Sequence, residues 1–140
     1  MNRLRRYLGL PAAERRLLHR ALAAVVWVRA GLWLLPFRVI RKQLERAPVL
    51  RSARRQPWTP EQIAQAVCRA GRYVPQASCL VLALAARQLC AEAGHATRLH
   101  LGVRSGQRFA AHAWLECEGR VLLGDEEIGD YAPLLTLGGR

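Results

Sequence analysis

The 140-residue sequence has only four cysteines, and no two of them form a C-x-x-C pair. Cysteines this sparse exclude the disulfide framework of a small secreted protein and do not favour a structural zinc site. Glycine and proline, with 11 and 7 residues, are about as frequent as in an average globular protein, which excludes collagen-like and low-complexity chains. With 51% hydrophobic residues, the chain is expected to form a packed core without a metal or a cofactor.

Long hydrophobic runs are missing as well. The most apolar stretch, residues 21–37, is shorter than the roughly 20 residues of a membrane span and contains Arg29 and Pro36. The start of the chain has no clean small-x-small cleavage site, so it does not fit a secretory signal. We therefore predict a cytoplasmic protein, in which the thiols stay reduced. Cys68, Cys90 and Cys117 are expected to be small buried hydrophobes.

Acidic residues are scarce in the N-terminal third of the chain. Residues 1–55 hold 14 basic residues but only two acidic ones, Glu14 and Glu45, which gives this segment a net charge of +12. Residues 56–140 hold eight basic and eight acidic residues, and so carry no net charge. The excess charge thus belongs to the N-terminal segment, and the remainder has the charge balance of a small enzyme or binding domain.

The basic segment does not have the pattern of a nucleic-acid-binding surface. Its arginines alternate with aliphatic residues, and it offers no row of exposed aromatic side chains on which bases would stack. Its amphipathic character instead favours peripheral contact with a membrane surface, an acidic peptide or a partner protein. The structural alternative is that its apolar stripe caps the following domain while its arginines face water.

Two units are predicted along the chain. A basic, Arg/Leu-rich helical segment with a linker covers residues 1–57, and a balanced domain covers residues 58–140. Within the first unit, helical spacing of apolar residues predicts a helix over residues 12–30, and a second short helix is predicted over 37–46. Residues 47–58 contain two prolines and three arginines without a period, which is typical of a linker.

The second unit is predicted to be α+β, with a central helix packed on an antiparallel sheet. Thr59 and Pro60 predict the start of a helix over residues 60–70, and Ser78 predicts the start of another over 79–93, ended by Gly94. The second of these helices is apolar on nearly every side, which is typical of a buried helix. Alternating strands are then predicted over 96–103 and 109–118, with a third over 121–123 after a turn at 118–120.

Two residues of this unit could carry chemistry together. Cys79 falls in the first turn of the central helix, where unpaired N–H groups and the helix dipole favour a thiolate nucleophile. His112, in the second strand, supplies an imidazole that could serve as its base. Hairpin register brings Asp125 close to His112 as the group that orients the imidazole. The same register also allows Glu126, and Glu116 and Glu118 remain further alternatives. The other histidines, His19, His95 and His100, are interpreted as structural.

Several motifs resemble one known family. Tyr73-Val74-Pro75, Cys79-Leu80, the run Ala111-His112-Ala113-Trp114-Leu115-Glu116 and Gly119-x-Val121-Leu122 resemble the transglutaminase-like leader peptidases of lasso-peptide biosynthesis. The match is closer still to the stand-alone peptidase half of a split B protein. The resemblance covers about residues 59–130, and the Leu35-Pro36-Phe37-Arg38 stretch also resembles that family's N-terminal region.

The resemblance implies a papain/transglutaminase-like cysteine protease that removes the leader from a ribosomally made precursor peptide. Cys79 would be the nucleophile, His112 the base and then the acid, and Asp125 the third member, with Glu126 and Glu127 beside it. The implied partners are a winged-helix-like leader-recognition protein, supplied in trans, and an ATP-dependent lasso cyclase. Two alternatives stay open, which are an acyltransferase or amidase on the same triad and a non-catalytic adaptor that docks through the basic segment.

Overall fold

The structure, a computed structural model, describes residues 3–36, 38–39, 42, 58–104, 110–124 and 132–138. In these ranges the helices all precede the strands, so the arrangement is α+β, as predicted. The helices are α1 (Arg3–Leu8), α2 (Ala12–Leu34), α3 (Pro60–Gly71) and α4 (Cys79–Glu92), and the strands are β1 (Arg98–Arg104), β2 (Ala110–Cys117), β3 (Arg120–Leu123) and β4 (Ala132–Gly138).

Helix α2 begins where the sequence predicts and continues beyond the predicted end at residue 30. It stops at Leu35, whose φ of −119° is extended. The next residue is Pro36, and a residue before proline is disfavoured in helical conformation. One face of α2 is buried, formed by Leu17, Ala21, Ala24, Val25 and Val28.

The buried face of α2 packs on α3 and α4, so it belongs to the same hydrophobic cluster as the helices that follow residue 58. The division of the chain at residue 57 stays a prediction. Most of the predicted helix over 37–46, and all of the predicted linker over 47–58 except Trp58, lie outside the described residues.

The start of α3 is fixed by a capping box, as predicted. The Thr59 hydroxyl accepts a hydrogen bond from the Gln62 backbone N–H at 3.2 Å, and the Gln62 side-chain oxygen accepts one from the Thr59 N–H at 3.0 Å. Pro60 occupies the first turn, where its missing N–H removes no helical bond. Just upstream, His95 Nε2 donates to the Trp58 carbonyl oxygen at 2.8 Å, which ties this helix start to the end of α4.

Replacing Thr59 by alanine is expected to lower the free energy of unfolding by about 1 kcal/mol, because one N–H of the first turn of α3 loses its acceptor. Thr59→Ser keeps the hydroxyl and is the matched control, so it should retain most of the stability. Urea unfolding of the purified variants measures both values. Equal losses for the two variants would show that the hydroxyl is not what stabilises this helix start.

Helix α4 lies at the centre of the structure, as its apolar sequence predicts. The Ser78 hydroxyl caps it by accepting from the Val81 N–H at 3.4 Å, and the helix ends at Glu92, shortly before Gly94 with a φ of 87°. Its sides face α2, α3 and the sheet, so little of it reaches solvent. Its buried residues are Val81, Ala83, Leu84, Ala85, Ala86, Leu89 and Cys90.

The sheet is antiparallel with the strand order β3-β2-β1-β4. The predicted meander β1-β2-β3 is confirmed, and its second turn is a tight one between Cys117 and Arg120. Glu118 and Gly119 have φ values of 52° and 78°, the two positive angles of a type I′ hairpin turn. Strand β4, which pairs with the free side of β1, was not predicted from the sequence.

Two of the three cysteines expected to be buried are buried, and one is not. Burial raises the pKa of Cys90 to about 12, and the buried Cys117 thiol donates to the Ala96 carbonyl oxygen at 3.4 Å. The prediction for Cys68 is wrong, since this residue is exposed. Helix α3 buries the face that contains Ile63 and Val67, and Cys68 is turned about 100° away from Val67 around the helix axis.

Candidate active site

Cys79 is the first residue of α4, and its side chain is exposed. The N-cap Ser78 accepts hydrogen bonds from the N–H groups of the following turn, with its side chain toward Val81 and its carbonyl toward Leu82. The N–H groups of Cys79 and Leu80 lie in the same turn, just before those of Val81 and Leu82, at the positive end of the helix dipole. The thiol therefore lies where a negative charge, on sulfur or on an attacked carbonyl, is stabilised.

The loop that leads into Cys79 is held by α2. The Arg29 guanidinium donates a hydrogen bond to the side-chain oxygen of Gln76, three residues before Cys79. Gln76 has a φ of 59°, a left-handed conformation that non-glycine residues rarely adopt without support from their surroundings. Helix α2 thus fills part of the core and also holds the loop that precedes the Cys79 thiol.

His112 lies on β2, opposite Gly102 of β1, and is half-buried. Its Nε2 is 2.7 Å from the carbonyl oxygen of Gly124, the residue just after β3. Because a carbonyl oxygen only accepts, Nε2 carries the proton, and in the neutral ring Nδ1 is the nitrogen that can take one up. The ring also stacks on Trp114, with 6.0 Å between centroids and an interplanar angle of 23°.

The lengths and order of the elements predict that Cys79 and His112 lie at the same end of the helix and sheet layers. Helix α4 is about 21 Å long, and a short connection reverses the chain into β1, which is about 23 Å long. The last residues of β1, and the first residues of β2 that pair with them, therefore lie level with the start of α4, which packs on both strands. Along β2, Ala113 and Leu115 face the core, and alternation places His112 and Trp114 on the other face of the sheet. The pairing of thiol with imidazole stays a prediction.

Asp125, the predicted orienting carboxylate, lies outside the described residues, as do Glu126 and Glu127. Glu116 contacts Nε2 of His100 at 3.2 Å, and Glu118 lies in the turn at the far end of β2 from His112. These positions favour a hydrogen-bond acceptor for His112 close to the end of β3 over Glu116 or Glu118. The described acceptor is the Gly124 carbonyl, and Asp125 is its immediate neighbour in sequence.

Gly124 is a site residue that the sequence analysis missed. Its φ is +78°, and a Cβ there would lie 2.6 Å from the Ala113 oxygen and 3.2 Å from His112 Nε2. Only glycine fits this approach without displacing the backbone or the imidazole. A backbone acceptor has no side-chain pattern, so the only signal was a glycine between an apolar strand and an acidic run.

His100, interpreted as structural, belongs to the support of His112. The His100 ring stacks on Trp114, the residue on which His112 also stacks, with the two ring centroids 5.3 Å apart. The Nδ1 of His100 is 3.0 Å from the hydroxyl of Thr136 on β4. Both imidazoles thus stack on Trp114 along one face of the sheet. The stack links His112 across β1 to the strand that the sequence analysis missed.

Two cavities formed by described residues are not lined by Cys79 or His112. One, of about 410 Å³, lies between α3 and β3 and is lined by residues that include Cys68, Arg72 and Leu123. The other, of about 330 Å³, lies between α2 and α4. Among the described residues, no group of three His, Cys, Asp or Glu side chains is arranged to hold a metal ion.

A family model described as the transglutaminase-like superfamily matches residues 21–136 of the chain. The matched region begins within α2 and contains all three predicted triad positions, Cys79, His112 and Asp125. No curated protein and no solved structure matches the chain.

Proposed function

The chain belongs to the transglutaminase-like superfamily, and on that basis we propose that it is the leader peptidase of a lasso-peptide pathway. The superfamily carries cysteine-protease and acyltransferase types of activity. The finer assignment rests on the resemblance around Cys79 and His112. The observation that carries it is the exposed Cys79 thiol at the capped start of a buried helix. The expected position of His112 at the same end of the sheet supports it.

Peptide cleavage follows from these groups in two steps. His112 Nδ1 removes the thiol proton, and the Cys79 sulfur attacks the scissile carbonyl while nearby N–H groups stabilise the oxyanion. The imidazolium then protonates the leaving amine, which departs as the new N-terminus of the core peptide. Water, deprotonated by His112, attacks the thioester and releases the leader as a carboxylic acid. The hydrogen bond from Nε2 to the Gly124 carbonyl supports this role, because it fixes the tautomer of the imidazole.

The proposed setting is the cytoplasm, with three partners. The precursor peptide is the substrate, a winged-helix-like leader-recognition protein delivers it, and an ATP-dependent cyclase joins the freed amine to an acidic side chain. Asp125 is the proposed third member of the triad. Its position directly after Gly124 supports this role.

A transfer reaction is the second candidate function, because the superfamily match supports it equally. In that case an amine takes the place of water at the Cys79 thioester, and the product is a new amide bond instead of two fragments. The exposed position of Cys79 leaves room for either acceptor.

The test is to incubate the protein with a lasso precursor peptide and its leader-recognition protein, with and without iodoacetamide, and to identify products by mass spectrometry. We expect two fragments, and no cleavage after Cys79 is alkylated. Cys68 is the other exposed thiol, so a Cys68→Ala variant, which should behave as the unmodified protein, assigns the inhibition to Cys79.

A crosslinked product in the same experiment would establish transfer in place of hydrolysis. An uncut precursor, in the presence of a recognition protein shown to bind the leader, would contradict the peptidase proposal. It would then favour the non-catalytic adaptor.

A further inference from the structure

Helix α2 is apolar on two opposite sides, and one of them faces solvent. The solvent-facing side, called here the outer face of α2, repeats at spacings of three and four residues, so it forms one stripe along the helix. The most exposed members are Trp27, Trp33 and Leu34, at 73%, 77% and 71%. The outer face consists of Leu22, Ala23, Val26, Trp27, Ala30, Trp33 and Leu34.

The two arginines in the middle of α2 are directed away from the outer face. Arg20 forms an ion pair with Glu92 of α4 at 2.9 Å, and Arg29 binds Gln76 in the loop before α4. The outer face is therefore free of charge from Leu22 to Leu34, over about 18 Å of helix. A large apolar stripe of this kind on a protein surface marks an interaction site.

The contacts of α2 with the rest of the protein decide how it could meet a membrane. By length and composition the helix could cross one, with a mean hydropathy of 1.4 over an 18-residue window. However, its inner face is packed on α3 and α4, and Arg20 and Arg29 bind Glu92 of α4 and Gln76 in the loop before it. A helix bound in this way can present only its outer face, so it would lie along a surface.

Positive charge flanks the outer face at both ends. Exposed arginines occupy α1 before it, and the exposed Arg38 and Lys42 follow it. Residues 1–55 carry a net charge of +12 with only two acidic residues. Tryptophan is also the residue type most suited to the boundary between headgroups and acyl chains, where Trp27 and Trp33 would lie.

We propose that the outer face of α2 binds the surface of an anionic phospholipid bilayer. The helix lies in the plane of the membrane, with Trp27 and Trp33 inserted at the level of the headgroups and the flanking arginines against lipid phosphates. Helices α3 and α4 then lie on the side of α2 away from the lipid. This surface is independent of the proposed peptidase activity, so either assignment can fail without the other.

The experiment uses the full chain and vesicles of phosphatidylcholine, with and without phosphatidylglycerol. We expect flotation with the anionic vesicles only, weakened as salt screens the arginines. Tryptophan emission should shift to the blue on binding. The shift reports the outer face because Trp114 is buried and Trp58 is half-buried.

A Trp27→Ser/Trp33→Ser double variant should bind the anionic vesicles at least about tenfold more weakly, because two large apolar side chains no longer enter the interface. Tyr73→Ser is the matched control, since Tyr73 is an aromatic residue that is 60% exposed and lies outside the outer face. It should bind as the unmodified protein. Both sets of positions are exposed, so the unfolding midpoints of the variants should stay close to that of the unmodified protein.

Three results would overturn the proposal. One is the absence of binding to anionic vesicles, and another is unchanged binding by the double tryptophan variant. The third is a dimer in solution that the same variant converts to monomer while vesicles remain unbound, which would make a second copy of the chain the occupant of this face.

Discussion

Replacing Cys79 by alanine is expected to abolish turnover while leaving the fold intact. The side chain is exposed at the first position of α4, so its removal creates no cavity, and the helix keeps its Ser78 cap. Removing the nucleophile of a serine protease of the subtilisin type lowers kcat by about 2 × 10⁶-fold, and a loss on this order is expected here. Turnover is measured on the precursor peptide, and stability is measured by urea unfolding.

The matched control for this variant is Cys68→Ala, which removes the other exposed thiol and should leave turnover unchanged. Cys90 and Cys117 are buried and do not serve as controls, because their removal would disturb packing. Retained turnover by Cys79→Ala would eliminate thiol catalysis in this protein. An equal loss in both variants would instead indicate a general dependence on exposed thiols.

Replacing Gly124 by alanine should reduce both stability and turnover, and Gly119 offers a matched control. Both glycines have a φ of 78°, so alanine is strained at either position by about 1–2 kcal/mol. At Gly119 the new Cβ would meet nothing within 4 Å, and only this strain is expected. At Gly124 the Cβ would lie 2.6 Å from the Ala113 oxygen, which adds about 1–3 kcal/mol of overpacking.

The effect on turnover separates a positioning role for Gly124 from a purely structural one. The new Cβ would also lie 3.2 Å from His112 Nε2, so relief of the clash moves the carbonyl that orients the imidazole. Misplacement of a catalytic group by about 1 Å can lower the rate by about 10²-fold, and we expect a loss of that size in kcat. Gly119→Ala, at a temperature where both variants are folded, should keep its kcat. Equal kcat values for the two variants would show that the Gly124 contact does not orient His112.

The elements that the sequence predicted well are those with local signals. Two helix starts are specified within a few residues, one by Thr59 with Gln62 and the other by Ser78 before an apolar run. The structure shows both caps. Alternating residues on either side of Gly119 specify the β2–β3 hairpin in the same way. Such signals act between neighbours in sequence, so they can be read without knowledge of the tertiary fold.

The elements that were missed depend on distant partners. Strand β4 contains Pro133 and has no clear alternation, and it forms because β1 offers a free side, with a register shift next to Gly102. Proline is tolerated there because β4 is an edge strand of the described sheet. Cys68 was assigned to the core on helical periodicity and residue type, whereas its exposure depends on which face of α3 meets α2 and α4.

The candidate site was predicted in part. The positions of Cys79 and His112 followed from a helix cap and a strand, and the family match covers both. The Gly124 carbonyl could not be predicted because any residue has a carbonyl, and its use depends on the path of the chain after β3. The role of Asp125 stays a prediction.

The order of the strands also has a consequence for biosynthesis. Pairing of β1 with β2 closes a loop of five residues, whereas pairing of β1 with β4 closes one of 27. The longer closure costs about 1.5 kcal/mol more in chain entropy, and residues 132–138 leave the ribosome after β1, β2 and β3. Until then, one side of β1 presents unpaired N–H and C=O groups that can pair with another nascent chain. We therefore expect the newly made protein to be most prone to aggregation in the interval before β4 is added.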